Sequence, residues 1–446
     1  MLGEFLMRKP ELLAPAGDWE KLKYALAYGA DAVYMGGQVF GLRAYAGNFN
    51  SEEMEKAVLW THGLGKKLYV TVNIFAHEPD FEELPAYLKQ LEKLGVDGAI
   101  VSDPGIIAMA QEVAPRLPLH LSTQANSTNS YSVRFWLKQG IERVVLAREL
   151  TLEELREVRS KVEGGLEVFI HGAMCMSYSG RCLLSNYLTG RDANRGECTQ
   201  PCRWGYSLVE EKRPEQSFPI EEDERGTYVF NSHDLCLLPH LPLLKTINLD
   251  SYKIEGRMKS VQYVASTVKV YREAIDTLWD QGEEAFQEKL PEWLEEMDKV
   301  SHRDYSPGFL FGKPGAKSHN LESSHYVRDY DFVGVGLLED ENEHAEEDVN
   351  KNLCNEVKLN KRECDDFDSF NNYTAWIEQR NNFKRGEVLE VLTPQGASWS
   401  FEVKEMWDTE GEPVEVARHA QQKIRMAVPE EILPYSILRR AKIGKR

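Results

Sequence analysis

Eight short apolar, β-rich runs recur through the first 257 residues of this 446-residue chain: ELLAP (11–15), DAVYMG (31–36), KKLYVTVN (66–73), DGAIVSD (97–103), LPLHLST (117–123), ERVVLAR (142–148), LEVFIHG (166–172) and DSYKIEGR (250–257). Between most of them lie amphipathic stretches, among them WEKLKYALAYGA, FEELPAYLKQLEKLGV and LEELREVRSKV, with apolar residues three and four apart. That spacing makes one buried stripe per helix. Near-continuous apolar strands alternating with such helices predict a parallel sheet covered on its outer side. Eight is the count that closes a (β/α)8 TIM-type barrel, and the fold class expected is α/β. An open doubly wound sheet is the alternative. It usually carries a glycine-rich turn after its first strand, where this chain has APAGDW.

The barrel is expected over residues 1–315. Its closing helix would be KSVQYVASTVKVYREAIDTLWDQG, where Val261, Val264, Val268, Tyr271 and Ile275 form one apolar stripe. The Gly/Pro/Ser-rich stretch SHRDYSPGFLFGKPGAKSHN (301–320) breaks the helical pattern, and a linker read at 316–330 precedes a region of short alternating segments, 331–446, which reads as a small all-β barrel that could contact RNA. Within it, the acidic stretch 339–352 reads as a solvated hairpin loop, and Cys354 and Cys364 as ordinary residues. An apolar fraction of 42% and an aromatic fraction of 10% are those of a folded protein. The N-terminus has no signal-peptide pattern and no run approaches a membrane span, so a cytoplasmic protein with reduced thiols is expected. The net charge of −19 argues against a surface that coats nucleic acid generally, though not against a local basic site.

The connection between strands seven and eight, residues 173–249, is the one long loop, and loops of that length inside a compact domain are usually functional. It holds Cys175, Cys182, Cys198, Cys202 and Cys236, with Arg181, Arg191, Arg195 and Arg203 in or beside the first four. Zinc favours paired C-x2-C knuckles, and only Cys198-x3-Cys202 approaches one. An iron–sulfur cluster tolerates wider spacing, and the spacing leans modestly towards it. A third reading makes Cys175 a peptidase nucleophile with His171 as base, but such chemistry needs one cysteine rather than five.

Active sites of such barrels gather at the C-terminal ends of the strands. Here those ends carry Gln124 and Asn126 after the fifth strand, Arg148 after the sixth, His171 and Cys175 after the seventh, and Glu255 and Arg257 after the eighth. Asn and Gln suit a base edge. Arg148 and Arg257 suit a carboxylate or phosphate, because a guanidinium donates two parallel hydrogen bonds. Glu255 would share a face with Arg257 and hold it. The bland alternative makes Glu255 and Arg257 a structural pair that closes the barrel.

EVFIHGAMCMSYSGRCLLS (167–185), with ELLAPAGDWEKLKYALAYGADAVYMGG (11–37) and SYKIEGRMKS (251–260), resembles the collagenase-like peptidase family U-32 along essentially the whole chain, and most of all its tRNA-hydroxylating branch. The resemblance implies oxygen-independent hydroxylation with a [4Fe-4S] cluster: wobble uridine in tRNA to 5-hydroxyuridine, with prephenate required. Its implied cluster ligands are Cys175, Cys182, Cys198 and Cys202, with Cys236 a further candidate for the fourth position. The family name keeps a cysteine or metal-dependent peptidase open as an alternative, and a non-catalytic RNA-binding protein is the third class.

Overall fold

The computed structural model describes residues 8–42, 47–175, 177–178, 181–203, 233–312, 327–337 and 373–442, together with four two-residue strands between 208 and 227. The linker expected at 316–330 lies largely outside them. Cys354, Cys364 and the acidic stretch 339–352 lie wholly outside.

Eight parallel strands form the first domain: β1 (Glu11–Pro15), β2 (Ala32–Gly36), β3 (Lys67–Val72), β4 (Gly98–Val101), β5 (Leu119–Leu121), β6 (Arg143–Val145), β7 (Gly165–Ala173) and β8 (Ser251–Ile254). Leu12 pairs with Tyr252 and Val168 also pairs with Tyr252, so β8 bridges β1 and β7 and the sheet closes on itself. The barrel reading holds and the open sheet is excluded. Helices α1 (Trp19–Ala27), α2 (Ser51–Gly63), α3 (Leu84–Leu94), α4 (Pro104–Val113), α5 (Ser130–Lys138) and α6 (Leu152–Lys161) cover it. Most begin at a side-chain cap, such as Asp18 on Lys21 N and Thr151 in a capping box with Glu154, which satisfies N–H groups the helix itself leaves orphaned.

The long loop contributes α7 (Leu184–Thr189), α8 (Leu241–Lys245) and a strand, Asp234–Cys236, that runs antiparallel to the end of β7. Helix α9 (Val261–Asp280) is buried over most of its length, between the barrel, α10 (Glu283–Asp298) and the second domain. No helix among the described residues is long and apolar enough to cross a membrane.

The second domain is all antiparallel: β9 (Tyr330–Gly336), β10 (Tyr373–Gln379), β11 (Val388–Leu392), β12 (Trp399–Glu402), β13 (Met406–Trp407), β14 (Lys423–Val428) and β15 (Ile437–Ala441). They form one sheet in the order β12-β11-β15-β9-β10-β14-β13. Phe401 and Met406, from strands at opposite edges, share one core with Ile377 and Leu438, so the sheet curls round on itself as a small barrel must. Arg439, fully buried, ties this domain to the first: its fork meets Glu296 of α10 at 2.6 and 2.5 Å and Glu390 at 2.6 Å, while Lys299 reaches Glu390 at 2.9 Å. Two cations and two anions cancel there, which is the condition for burying charge without a large desolvation loss.

Candidate functional site at the barrel mouth

Arg148 lies at the floor of the mouth. Its guanidinium stacks on the Phe169 ring at 3.8 Å, donates from Nη1 to Ala173 O at 2.7 Å, and stands 4.0 Å from the Glu255 carboxylate. Its Nε is buried without a hydrogen-bond partner. A guanidinium has five N–H donors, so this one is oriented yet far from saturated. Glu255 also lies 3.5 Å from the Tyr34 hydroxyl, which donates to Ile254 O.

Gln124 and Asn126 sit at the top of β5. The Gln124 side chain is engaged with Ser122 Oγ and, at 3.4 Å, with Asn73. Asn126 adopts the left-handed region (φ 54°), which Asn tolerates better than most residues, and its Oδ1 is buried without a partner. Of these two expected base-reading groups, Asn126 has the spare acceptor.

Arg257 takes an internal place. It is buried, donating to Leu42 O and Thr71 Oγ1, both at 3.0 Å, and to Asn48 Oδ1 at 2.6 Å. It thereby ties the end of β8 to β3 and to the loop after β2. Gly36 is required beside it, since a Cβ there would meet the guanidinium at 2.4 Å. The shared face expected for Glu255 and Arg257 is not how their bonds divide: Glu255 turns to Arg148 and Tyr34, Arg257 to the β2–β3 side.

His171 is corrected as a base. Strand β7 carries one extra residue between the pairs Lys253–Phe169 and Ile254–His171, a β-bulge. Strict alternation would keep His171 on the inner face with Glu167 and Phe169. The bulge instead turns it outward against α9, among Tyr263, Tyr271 and Tyr305, with Nδ1 3.4 Å from the Tyr271 hydroxyl. Burial holds its pKa down at about 3, and its Nε2 is buried without a partner. A neutral imidazole walled off in this way does not activate a thiol at the mouth.

The cysteine loop is clipped over the mouth at several points. Arg181 Nε donates to Gln124 O at 2.7 Å, Asn194 O accepts from Phe75 N at 3.1 Å, and Arg195 forks onto Asp80 at 2.7 and 2.8 Å. That fork holds the Asp80 carboxyl at about 2. Within the loop, Ser185 Oγ accepts from Thr199 N at 3.1 Å and lies 3.0 Å from its hydroxyl, stitching the segment after Cys182 to the one after Cys198. Cys202 lies in the turn Pro201–Arg203, which packs on α7.

Cys182 Sγ accepts from Leu184 N and Cys198 Sγ from Gln200 N, each at 3.4 Å, and Cys175 accepts from Ser177 N. Backbone N–H groups aimed at sulfur stabilise thiolate and tune cluster potentials, so the residues fit an iron–sulfur group. Cys175 is exposed as a residue, yet the protein around its sulfur pushes its pKa up. Cys182 and Cys198 push it further the same way, and Arg148 opposes them. Cys182, Cys198 and Arg148 thus act on Cys175 electrostatically. Among the described residues, no three His, Cys, Asp or Glu side chains are gathered as ligands for a single metal ion. Cys236 stands elsewhere, opposite His171, with its sulfur 3.8 Å from the Tyr271 hydroxyl and its pKa pushed by burial to about 11.

Sequence reasoning missed Phe169 as the platform for Arg148, and it missed the Asp80 clip. It also missed Glu167 and Lys253, a buried pair at 2.9 Å beneath the mouth. The available signals were a lysine inside the apolar run SYKI and a glutamate inside LEVFI.

Residues 17–320 match the family model described as Peptidase family U32, and residues 363–439 match its C-terminal domain. The chain is 40% identical over 437 residues to tRNA hydroxylation protein P1 of Bacillus subtilis (strain 168), covering 98% of this chain and 96% of that protein. It is 36% identical over 476 residues to tRNA hydroxylation protein P of Escherichia coli (strain K12), covering 97% of each. It is 35% identical over 268 residues to the 23S rRNA 5-hydroxycytidine C2501 synthase of the same strain, covering 60% of this chain and 39% of that protein. The chain belongs to peptidase family U32.

Proposed function

We propose that this protein is an oxygen-independent tRNA hydroxylase. In this reading it converts wobble uridine to 5-hydroxyuridine, using a [4Fe-4S] cluster on Cys175, Cys182, Cys198 and Cys202 and prephenate as co-substrate. The observation that carries the reading is the loop bearing Cys175, Cys182, Cys198 and Cys202, clipped by Arg181, Asn194 and Arg195 over the C-terminal mouth of a closed barrel. The relatives that match nearly the whole chain are named for tRNA hydroxylation, and a third is named for the related chemistry on rRNA, which supports RNA as the substrate.

When bound, the cluster would supply redox chemistry at the mouth. The chain's own groups divide the remaining work. Arg148, held flat on Phe169 with donors to spare, binds a carboxylate of the co-substrate. Asn126 Oδ1 accepts from the base edge. The clipped loop covers the mouth and limits water, which strengthens both interactions. Cys236 is left out of the ligand set because of its buried place beside Tyr271. The peptidase alternative needs a base for Cys175, and His171 faces away from it; its thiol is also shifted up, whereas a thiol nucleophile needs a depressed pKa.

Two measurements test the reading. Anaerobically purified protein should carry iron and sulfide, lost on Cys175→Ala, Cys182→Ala, Cys198→Ala or Cys202→Ala and retained on Cys236→Ala. Nucleosides of tRNA from a deletion strain should lose 5-hydroxyuridine and its derivatives, and only a gene encoding the cluster-loaded protein should restore them. Unchanged nucleosides, with no redundant enzyme present, would refute the function. Gelatin cleavage abolished by Cys175→Ala would revive the peptidase.

A further inference from the structure

We infer that one sector of the mouth's rim, bearing Tyr187 and Tyr131, is a stacking surface for the unpaired nucleotides that flank the target base. This rests on the RNA-hydroxylase reading above. The exposed large apolar side chains carry the argument. Tyr187 is 85% exposed, Tyr131 78% and Leu183 73%, although neighbouring positions on the same elements are buried, Ser185 and Val133 among them. Large apolar side chains left this bare on the rim of a candidate site suit a contact surface.

Their place is set by the same bonds that clip the loop. Arg181 reaches the end of β5 and lies 5.2 Å over the Phe75 ring, while Asn194 and Arg195 hold the segment after β3. The part of the loop bearing Leu183 and Tyr187 is thus anchored over the β3–β5 sector, and α5, which opens with Ser130 and Tyr131, rises from that sector.

Charge selects the occupant. Arg134 lies 4.5 Å over the Tyr131 ring, and Arg181 borders the other end. The chain as a whole carries −19 and repels phosphate over most of its surface. Aromatic faces interleaved with arginine suit bases and phosphates of a single strand, whereas a duplex keeps its base faces stacked inside. Tyr178 is also bare, but Glu149 and Glu154 act on it, and those carboxylates turn a phosphate backbone away from the β6 side. The strand is therefore expected across Tyr187 and Tyr131, not across Tyr178.

Full-length, anaerobically purified protein would be titrated into a short, labelled, unstructured RNA and into the same strand annealed to its complement, reading fluorescence anisotropy. Tighter binding of the single strand is expected. Tyr187→Ala and Tyr131→Ala should each weaken it about tenfold, with Tyr187→Phe close to wild type, Tyr178→Ala within about twofold, and iron content unchanged. Equal or tighter duplex binding, or Ala variants that bind like wild type, would overturn the inference while leaving tRNA hydroxylation standing. Variants that bind RNA normally but turn a dimer into a monomer in sedimentation would also overturn it, marking a self-association surface. Failure of the hydroxylase reading itself shows separately, as unchanged nucleosides in the deletion strain.

Discussion

Two sets of charged groups occupy the interior of the same barrel, one below the other. In the lower set, Arg143 meets Glu11 at 2.6 Å and Glu167 at 3.2 Å, Lys253 meets Glu167 at 2.9 Å, and the Tyr69 hydroxyl donates to Glu11 at 2.8 Å. Two cations face two anions, closely bonded. In the upper set, Arg148 has one hydrogen bond, a ring beneath it and a carboxylate 4.0 Å away, and Asn126 has a buried oxygen with nothing bonded to it. The difference separates charge saturated within the fold from charge left with donors unused. A buried group saturated by its own chain has little left to offer a substrate, while an oriented, unsaturated one is arranged to bind.

The comparison breaks most visibly in the lower set. Lys253→Met strips Glu167 of its closest cation in a fully buried place. It should cost about 3–5 kcal/mol in denaturant unfolding, much of it recovered by adding Glu167→Gln. A loss under about 1 kcal/mol would show that water or Arg143 carries Glu167 unaided.

Acid provides the next test. Burial, helped by Arg143 at His120 and opposed by Asp234 at His171, holds both neutral with pKa values at about 3, against 6.5 in a solvated chain. Between those values the unfolded state binds the extra proton, so stability rises with pH and is lost as pH falls through 6.5. At about pH 5.5 each histidine should cost about 1.4 kcal/mol relative to neutral pH. Glu167 behaves differently. Burial would raise its carboxyl, but Lys253 and Arg143 outweigh burial and hold it at about 2, so its contribution persists to about pH 4.5 and is lost only as pH falls on towards 2. Urea midpoints unchanged between about pH 7.5 and 5.5 would contradict this account.

The finest test compares two arginines at the mouth. Arg257→Lys gives up the fork to Leu42, Thr71 and Asn48 and should cost about 1–3 kcal/mol of stability. Arg148→Lys gives up a stack on Phe169 and should cost about 1 kcal/mol or less, yet it should cut 5-hydroxyuridine in tRNA severely with iron content intact. A stable Arg257→Lys protein that no longer modifies tRNA would reverse the two assignments.

Much of the scaffold was legible because its signals are local. All eight strands lie where the apolar runs lie, and the strand ends correctly placed Arg148 and Glu255 at the mouth. The long loop announced itself by length and by its cysteines. Three things were not legible. His171 left the inner face through a bulge of one residue, which no periodicity reveals. Arg257 was spent on acceptors from residues 42, 48 and 71, remote in sequence. Cys236 entered the core beside Tyr271, thirty-five positions away.

By itself, the sequence determined where helices and strands form, that they close into a barrel, and at which end of it the cysteine loop and the polar strand ends lie. Those follow from the period of side chains along each element and from the count of strands. Only the tertiary structure decided which polar side chains at that end are already satisfied. Saturation of a donor or acceptor depends on groups brought within about 3 Å by folding, and sequence separation carries no record of that distance.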